Sequence, residues 1–201
     1  MAKDWTGSVN SVYTCLGASN HCSDDRQEYD YYATDSIAID KLLNGGGKPY
    51  YKIYEPACGE GHLAKRLEEL GYEVVASDLI DRGYGKGGVD FLNLDKKNLD
   101  RDILTNPPYK FASEFVEKGL DVIADGRSVW MFLKLQFLEG KKRRELFDKG
   151  CLKHVYVSSE RILCAKNGDF EAMKASGGSA VAYAWYQFEK GYNGEATLSW
   201  I

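Results

Sequence analysis

From residue 34 onward the chain switches repeatedly between two hydrophobic rhythms. Ile37, Ile39, Leu42 and Leu43 form a rough helical stripe, with Thr34 or Asp35 placed to cap it and Gly45-Gly46-Gly47 to end it. Tyr51–Tyr54 is a short aromatic and β-branched run. A turn of small residues, Pro56 to Gly61, leads into a second helical stripe at Leu63, Leu67 and Leu70 that stops at Gly71. Tyr72–Ser77 reads as a buried strand, and Val89–Leu92, Asp102–Thr105 and Ser128–Leu133 as further strands. Helical patterns cover Phe111–Ala124 and Lys141–Lys149, and His154–Val157 and Ala180–Phe188 complete about seven strands. Strands alternating with helices predict an α/β fold: a doubly wound, seven-stranded, mostly parallel sheet. The last strand, entered through Gly177-Gly178-Ser179, is expected to turn back as an antiparallel edge strand. Residues 1–33 lack either rhythm, and Ser19–Asp30 is polar and acidic, so an N-terminal arm at 1–33 and a single domain at 34–201 are expected.

The composition suits that reading. The chain has 201 residues, 44% apolar and 28% charged, enough for one core and unlike a disordered tail, a fibre or a coiled coil. Its longest apolar run, Ser128–Leu133, stops at Lys134, too short for a membrane span, so no membrane partner is expected. Asp4 and the absence of an early apolar stretch argue against a secretory signal. Five scattered cysteines fit reduced thiols, which together imply a cytoplasmic setting. Residues 1–100 hold 11 basic against 17 acidic residues, and residues 101–201 hold 15 against 13, within a net charge of −4. A nucleic acid would therefore be held by a local patch, for which Lys141-Lys142-Arg143-Arg144 is the best basic run. Cys15, His21 and Cys22 lack the spacing of a zinc site, and no metal is expected.

Three places carry candidate chemistry. Glu55-Pro56-Ala57-Cys58-Gly59-Glu60-Gly61 joins the first core strand to its helix, where glycines let backbone approach a ligand. It is not a G-x-G-x-x-G fingerprint, and its acids would repel a pyrophosphate while suiting a ligand with a positive group. Asp78 follows Gly59 by 19 residues, the distance at which a carboxylate meets ribose hydroxyls. Asp90-Phe91 pairs an acceptor for an amino proton with a ring that can cover an adenine face. The sharpest signal is Asn106-Pro107-Pro108-Tyr109 directly after an apolar strand. Two prolines cannot extend the ladder, and Asn106 with the Pro107 carbonyl offers two acceptors for an exocyclic –NH2 beside a tyrosine ring.

In this order and spacing these residues resemble class I S-adenosylmethionine-dependent methyltransferases, and within them the DNA adenine-N6 (amino) methyltransferases of the small phage-encoded type. The resemblance spans roughly residues 28–137, and Tyr31-Tyr32-Ala33-Thr34 is similar to that family's N-terminal cofactor motif. It implies a Rossmann-like methyltransferase fold with S-adenosylmethionine as cofactor. By the same resemblance, Thr34, Glu55, Pro56, Ala57, Cys58, Gly59 and Gly61 serve the methionine end, and Glu55 meets its amino group. Asp78 would bind the ribose, Leu79, Asp90 and Phe91 the adenine. Asn106, Pro107, Pro108 and Tyr109 would form the catalytic corner that grips and stacks a flipped base.

The substrate implied is double-stranded DNA, with a homodimer or an accessory specificity partner open, because 34–201 leaves no room for a separate target-recognition domain. RNA adenine-N6, DNA cytosine-N4 and protein glutamine methylation stay open, as does a non-catalytic binding module on the same fold. Phe170, Trp185 and Tyr186 are candidates for a second ring against the base, with Phe170 favoured, and Lys141–Arg144 for phosphate contacts.

Overall fold

The computed structural model describes residues 32–166, 168, 170–175 and 181–201. The strands are β1 (Tyr32–Thr34), β2 (Lys52–Glu55), β3 (Glu73–Ala76), β4 (Asp102–Thr105), β5 (Ser128–Lys134), β6 (Leu152–Val157), β7 (Cys164–Lys166), β8 (Tyr183–Glu189) and β9 (Thr197–Trp200). The helices are α1 (Ile37–Asn44), α2 (His62–Glu69), α3 (Ala112–Val122), α4 (Lys141–Asp148) and α5 (Phe170–Ala175). Seven strands make one sheet in the order β3-β2-β4-β5-β8-β6-β9, and β1 and β7 form a separate antiparallel ribbon. In the main sheet only β8 runs against its neighbours, β5 and β6. The seven-stranded, mostly parallel sheet is as expected; its antiparallel strand has β6 and β9 beyond it on that side.

The period-two alternation of strand residues builds a core on each face. On one face Ile103, Val129, Met131, Leu133, Tyr186 and Phe188 meet Phe115 and Val116 of α3 and Leu146 of α4. On the other, Ile53, Leu104, Trp130, Phe132 and Trp185 meet Ile39 and Leu42 of α1 and Leu63 and Leu67 of α2. Trp185 and Tyr186 are fully buried, and Trp185 Nε1 donates to the Ala38 carbonyl at 2.9 Å, so neither is available to stack on a base. Among the described residues no helix is long and apolar enough to cross a membrane.

Three sequence expectations change, and a ninth strand joins the fold. Val89–Leu92 is not a strand. Asp90 Oδ1 accepts the Leu92 N–H and caps a 3-10 turn at Phe91–Asn93, the local bonding by which Asp competes with a ladder. Tyr72–Ser77 was expected to be buried, yet β3 is the sheet's outer strand and Val75 is exposed. The segment expected to be an irregular arm ends in β1. The terminal strand β9 pairs parallel with β6. The rest of the arm, with Cys15, His21 and Cys22, lies outside the described residues.

At the end of the sheet opposite the strands' carboxyl ends, buried Asp102 opens β4 and accepts from Ser128 N (2.9 Å), Tyr50 N (2.9 Å) and Trp130 Nε1 (2.8 Å). Asp102→Ala would strand three donors, and urea denaturation should show a loss of about 2–4 kcal/mol. A loss under about 1 kcal/mol would mean that water replaces the carboxylate without cost.

Candidate functional site

The chain leaves β2 in opposite directions: β3 lies on one side of it and β4 on the other. The carboxyl ends of strands that diverge in this way leave a crevice between them. A cavity of about 900 Å³ opens there, lined by Glu55 from the end of β2, Asp78 beyond β3, Asn106 beyond β4 and Lys134 at the end of β5. Because β8 is antiparallel, its first residue, Tyr183, pairs with Lys134 and reaches the same cavity.

One end of the cavity is acidic. Glu55 is buried, and among the described residues its Oε2 has no hydrogen-bond partner. Burial pushes its carboxyl well above the usual carboxylate range, against a lowering by the Ala64 N–H and with a further rise from Asp78 and Glu68. Asp78 Oδ2 accepts from Gly59 N at 2.8 Å and Oδ1 from Ile80 N at 2.9 Å, which pins the small-residue turn to the end of β3. Gly61 caps α2 at φ +80°, a left-handed conformation that suits glycine, and a Cβ there would come within 2.3 Å of the Tyr84 ring. Burial, with the neighbouring Glu55 and Asp78, pushes the Cys58 thiol up to about 12, away from the thiolate form.

The other end is built on the double-proline corner. Asn106 Nδ2 donates to the Tyr32 carbonyl (3.1 Å) and to Thr34 Oγ1 (2.8 Å), while Asn106 Oδ1 is buried without a partner among the described residues. Phe111 N–H bonds the Pro108 carbonyl, and no donor among the described residues reaches that of Pro107. Tyr109 stacks on Tyr32 with ring centroids 6.4 Å apart and 24° between planes, and Tyr183 lies 6.2 Å away. Lys134 Nζ sits 5.0 Å from the Tyr109 centroid. The Tyr109 hydroxyl donates to Cys164 Sγ at 3.7 Å; burial holds this phenol well above its ordinary range and pushes the Cys164 thiol up to about 11.

The fold thus brings Thr34, Glu55, Pro56, Ala57, Cys58, Asp78, Leu79, Asp90, Phe91, Asn106, Pro107, Pro108 and Tyr109 to one cavity. Gly59 and Gly61 shape its turn, but their N–H groups serve Asp78 Oδ2 and the Cys58 carbonyl. Phe170 is set edge-on against His62, a cavity residue, with centroids 5.5 Å apart. Lys141, Lys142, Arg143 and Arg144 stand on α4 and do not line the cavity; Arg144 pairs with Asp148, and Arg143 bonds the Gln136 and Glu139 carbonyls. Sequence reasoning placed Tyr32 only within a cofactor motif and missed Tyr183, Cys164 and Lys134. Lys134 and Tyr183 carried a signal, since each stands where a strand meets the carboxyl-end crevice; Cys164 needed the ribbon pairing.

No family model matches the sequence, and no curated protein matches it. Solved structures do. A candidate class I S-adenosylmethionine-dependent methyltransferase from Listeria monocytogenes superposes with a TM-score of 0.55 at 16% identity, over 96% of this chain and 71% of the other. A candidate RNA methyltransferase from Pyrococcus horikoshii gives 0.54 at 14%, over 92% and 99%. The modification subunit of a candidate type I restriction enzyme from Vibrio vulnificus gives 0.57 at 13%, over 96% and 51%. The fold is the Rossmann-like one of these methyltransferases. At such identities the likeness concerns the fold, and the cavity's chemistry rests on this chain's own residues.

Glu55 generates a test. Its folded-state pKa is raised, so the folded chain holds this proton more tightly than the unfolded chain. That contribution to stability is complete below the ordinary glutamate range and is lost as pH rises through the raised value. Glu55→Gln should therefore raise the melting temperature of the ligand-free protein at neutral pH, by about 2–4 °C per kcal/mol of relief, and the gain should shrink on acidification. A variant that is less stable than the parent at neutral pH would contradict the account.

Proposed function

We propose that the chain is an S-adenosylmethionine-dependent methyltransferase that acts on the exocyclic amino group of a nucleic-acid base, with adenine N6 in double-stranded DNA as its substrate. The observation that carries this reading is that, among the described residues, Asn106 Oδ1 and Glu55 Oε2 have no hydrogen-bond partner and both side chains line one cavity, with Pro107 next in sequence to Asn106. Most buried acceptors in folded proteins have donors, so acceptors without one that line a cavity are candidate places for a ligand's donors.

The cavity fits the cofactor. Glu55 Oε2 lacks a donor, which an α-ammonium group has. Asp78 retains lone pairs beyond its two backbone bonds for ribose hydroxyls. Leu79 and Phe91 supply apolar surface and Asp90 a carboxylate for the adenine. When bound, the cofactor supplies a methyl group made electrophilic by a sulfonium.

The rest of the chemistry belongs to the corner. An adenine amino nitrogen is a poor nucleophile because its lone pair is delocalised into the ring. Asn106 Oδ1 and the Pro107 carbonyl accept its two N–H bonds and favour a more pyramidal nitrogen. Those bonds strengthen as positive charge develops on the nitrogen, so they lower the barrier rather than only tightening the ground state. Holding amine and methyl in line supplies a further part of the rate. The Tyr109 ring offers a face for a base flipped out of the duplex. The proposed reaction needs no covalent part from Cys58 or Cys164, whose thiols burial pushes up. Lys141, Lys142 and Arg144, outside the cavity, are the proposed phosphate contacts.

Double-stranded DNA is the first reading and RNA the second; a restriction-enzyme modification subunit and an RNA methyltransferase share the fold, which does not choose between them. The experiment is incubation with methyl-labelled cofactor and DNA or RNA, followed by digestion to nucleosides. N6-methyladenine from DNA is expected. Label in RNA, in N4-methylcytosine or in protein glutamine would transfer the mechanism to that amine. Cofactor binding with no transfer to any acceptor would make the chain a binding module. Asn106→Ala should abolish transfer while cofactor affinity, measured by calorimetry, stays within a few-fold. An equal loss of both would remove Asn106 from the proposed role.

A further inference from the structure

We propose that the two-stranded ribbon β1–β7 is the device that orients the corner, with Thr34 as a positioning residue for Asn106 rather than a cofactor ligand. The inference rests on the reading of Asn106 as the amine acceptor and adds what fixes it there.

An asparagine amide can present either its oxygen or its nitrogen to a neighbour. Here the neighbour decides. The Tyr32 carbonyl can only accept, so the group facing it at 3.1 Å must be the –NH2. The second amide proton goes to Thr34 Oγ1 at 2.8 Å. With both donors committed to β1, Oδ1 is the atom turned away from the ribbon. Rotation of the amide would forfeit the bond to Tyr32 and set an oxygen against its carbonyl, even though the Thr34 hydroxyl could donate to that oxygen.

The tie continues across the ribbon. Thr34, whose hydroxyl accepts from Asn106, pairs in register with Cys164 of β7. The Cys164 sulfur accepts from the Tyr109 hydroxyl. Tyr32 completes the arrangement by stacking on the Tyr109 ring. The two working side chains of Asn106-Pro107-Pro108-Tyr109 are thus fastened, three residues apart, to one cross-strand pair. Thr34 and Cys164 are 3% and 4% exposed, which leaves water little room to replace these bonds. A tetrapeptide whose prolines lock its backbone still leaves χ angles free at either end, and the ribbon removes that freedom.

The test uses Thr34→Val, which keeps shape and strand preference but removes the hydroxyl, and Thr34→Ser, which restores it. In the full-length ligand-free protein, the side-chain amide protons of Asn106 are followed by NMR with labelled asparagine. Protected, well-separated signals are expected in the parent and in Thr34→Ser, and fast exchange with shifted signals in Thr34→Val. In the methyl-transfer assay Thr34→Val should lower kcat about tenfold or more, with cofactor affinity within about twofold and recovery in Thr34→Ser. Amide signals that do not move in a folded Thr34→Val protein would overturn the proposal. So would a loss of cofactor affinity as large as the loss of kcat, which would make Thr34 a cofactor ligand. If the parent transfers no methyl group to any acceptor, the proposed function fails while the amide signals still decide the positioning.

Discussion

Leaving a buried oxygen without a donor costs about 1–3 kcal/mol, and two such oxygens, Glu55 Oε2 and Asn106 Oδ1, belong to side chains that line one cavity. Both sit where β2 and β4 end on either side of the point at which the sheet changes winding direction. Everything else in the functional account follows from that pair. The acidic oxygen asks for a cationic donor, the amide oxygen for an N–H, and the sheet places the two requests within one crevice. A cavity arranged to satisfy its own acceptors would be more stable and would have nothing to bind.

The stabilising bonds lie elsewhere. Asp102, at the opposite end of β4, is also a buried acid, but three donors converge on it. Within the cavity Asp78 is likewise committed, holding the glycine turn to the end of β3 through Gly59. The contrast sets Glu55 apart: Asp102 has three donors, Asp78 has two and lone pairs to spare, and among the described residues Glu55 Oε2 has none.

Much of this was legible in the sequence because prolines, glycines and sharp strand ends punctuate it. Glu55–Gly61 and Asn106–Tyr109 announce themselves as turns at strand ends, and the alternation of strand and helix gives the layers. What was not legible depends on partners far along the chain. The three residues of β1 are a strand only because Cys164–Lys166 lies opposite, and β9 only because β6 offers an edge. Asp90 turned an expected strand into a capped turn by bonding its own backbone. Trp185 and Tyr186 looked like candidates for a binding ring and are core, while Tyr32 and Tyr183, less conspicuous in the sequence, flank Tyr109.

The central claim is that the two unsatisfied oxygens mark the two reactants' positions. A crystal structure of the protein with S-adenosylhomocysteine, the product form of the proposed cofactor, tests it most directly. The account predicts the ligand's amino group in hydrogen-bond reach of Glu55 Oε2, its ribose at Asp78, and its sulfur turned toward the Asn106 corner, which stays open. A ligand bound elsewhere, or one whose amino group leaves Glu55 Oε2 unpaired, would contradict it.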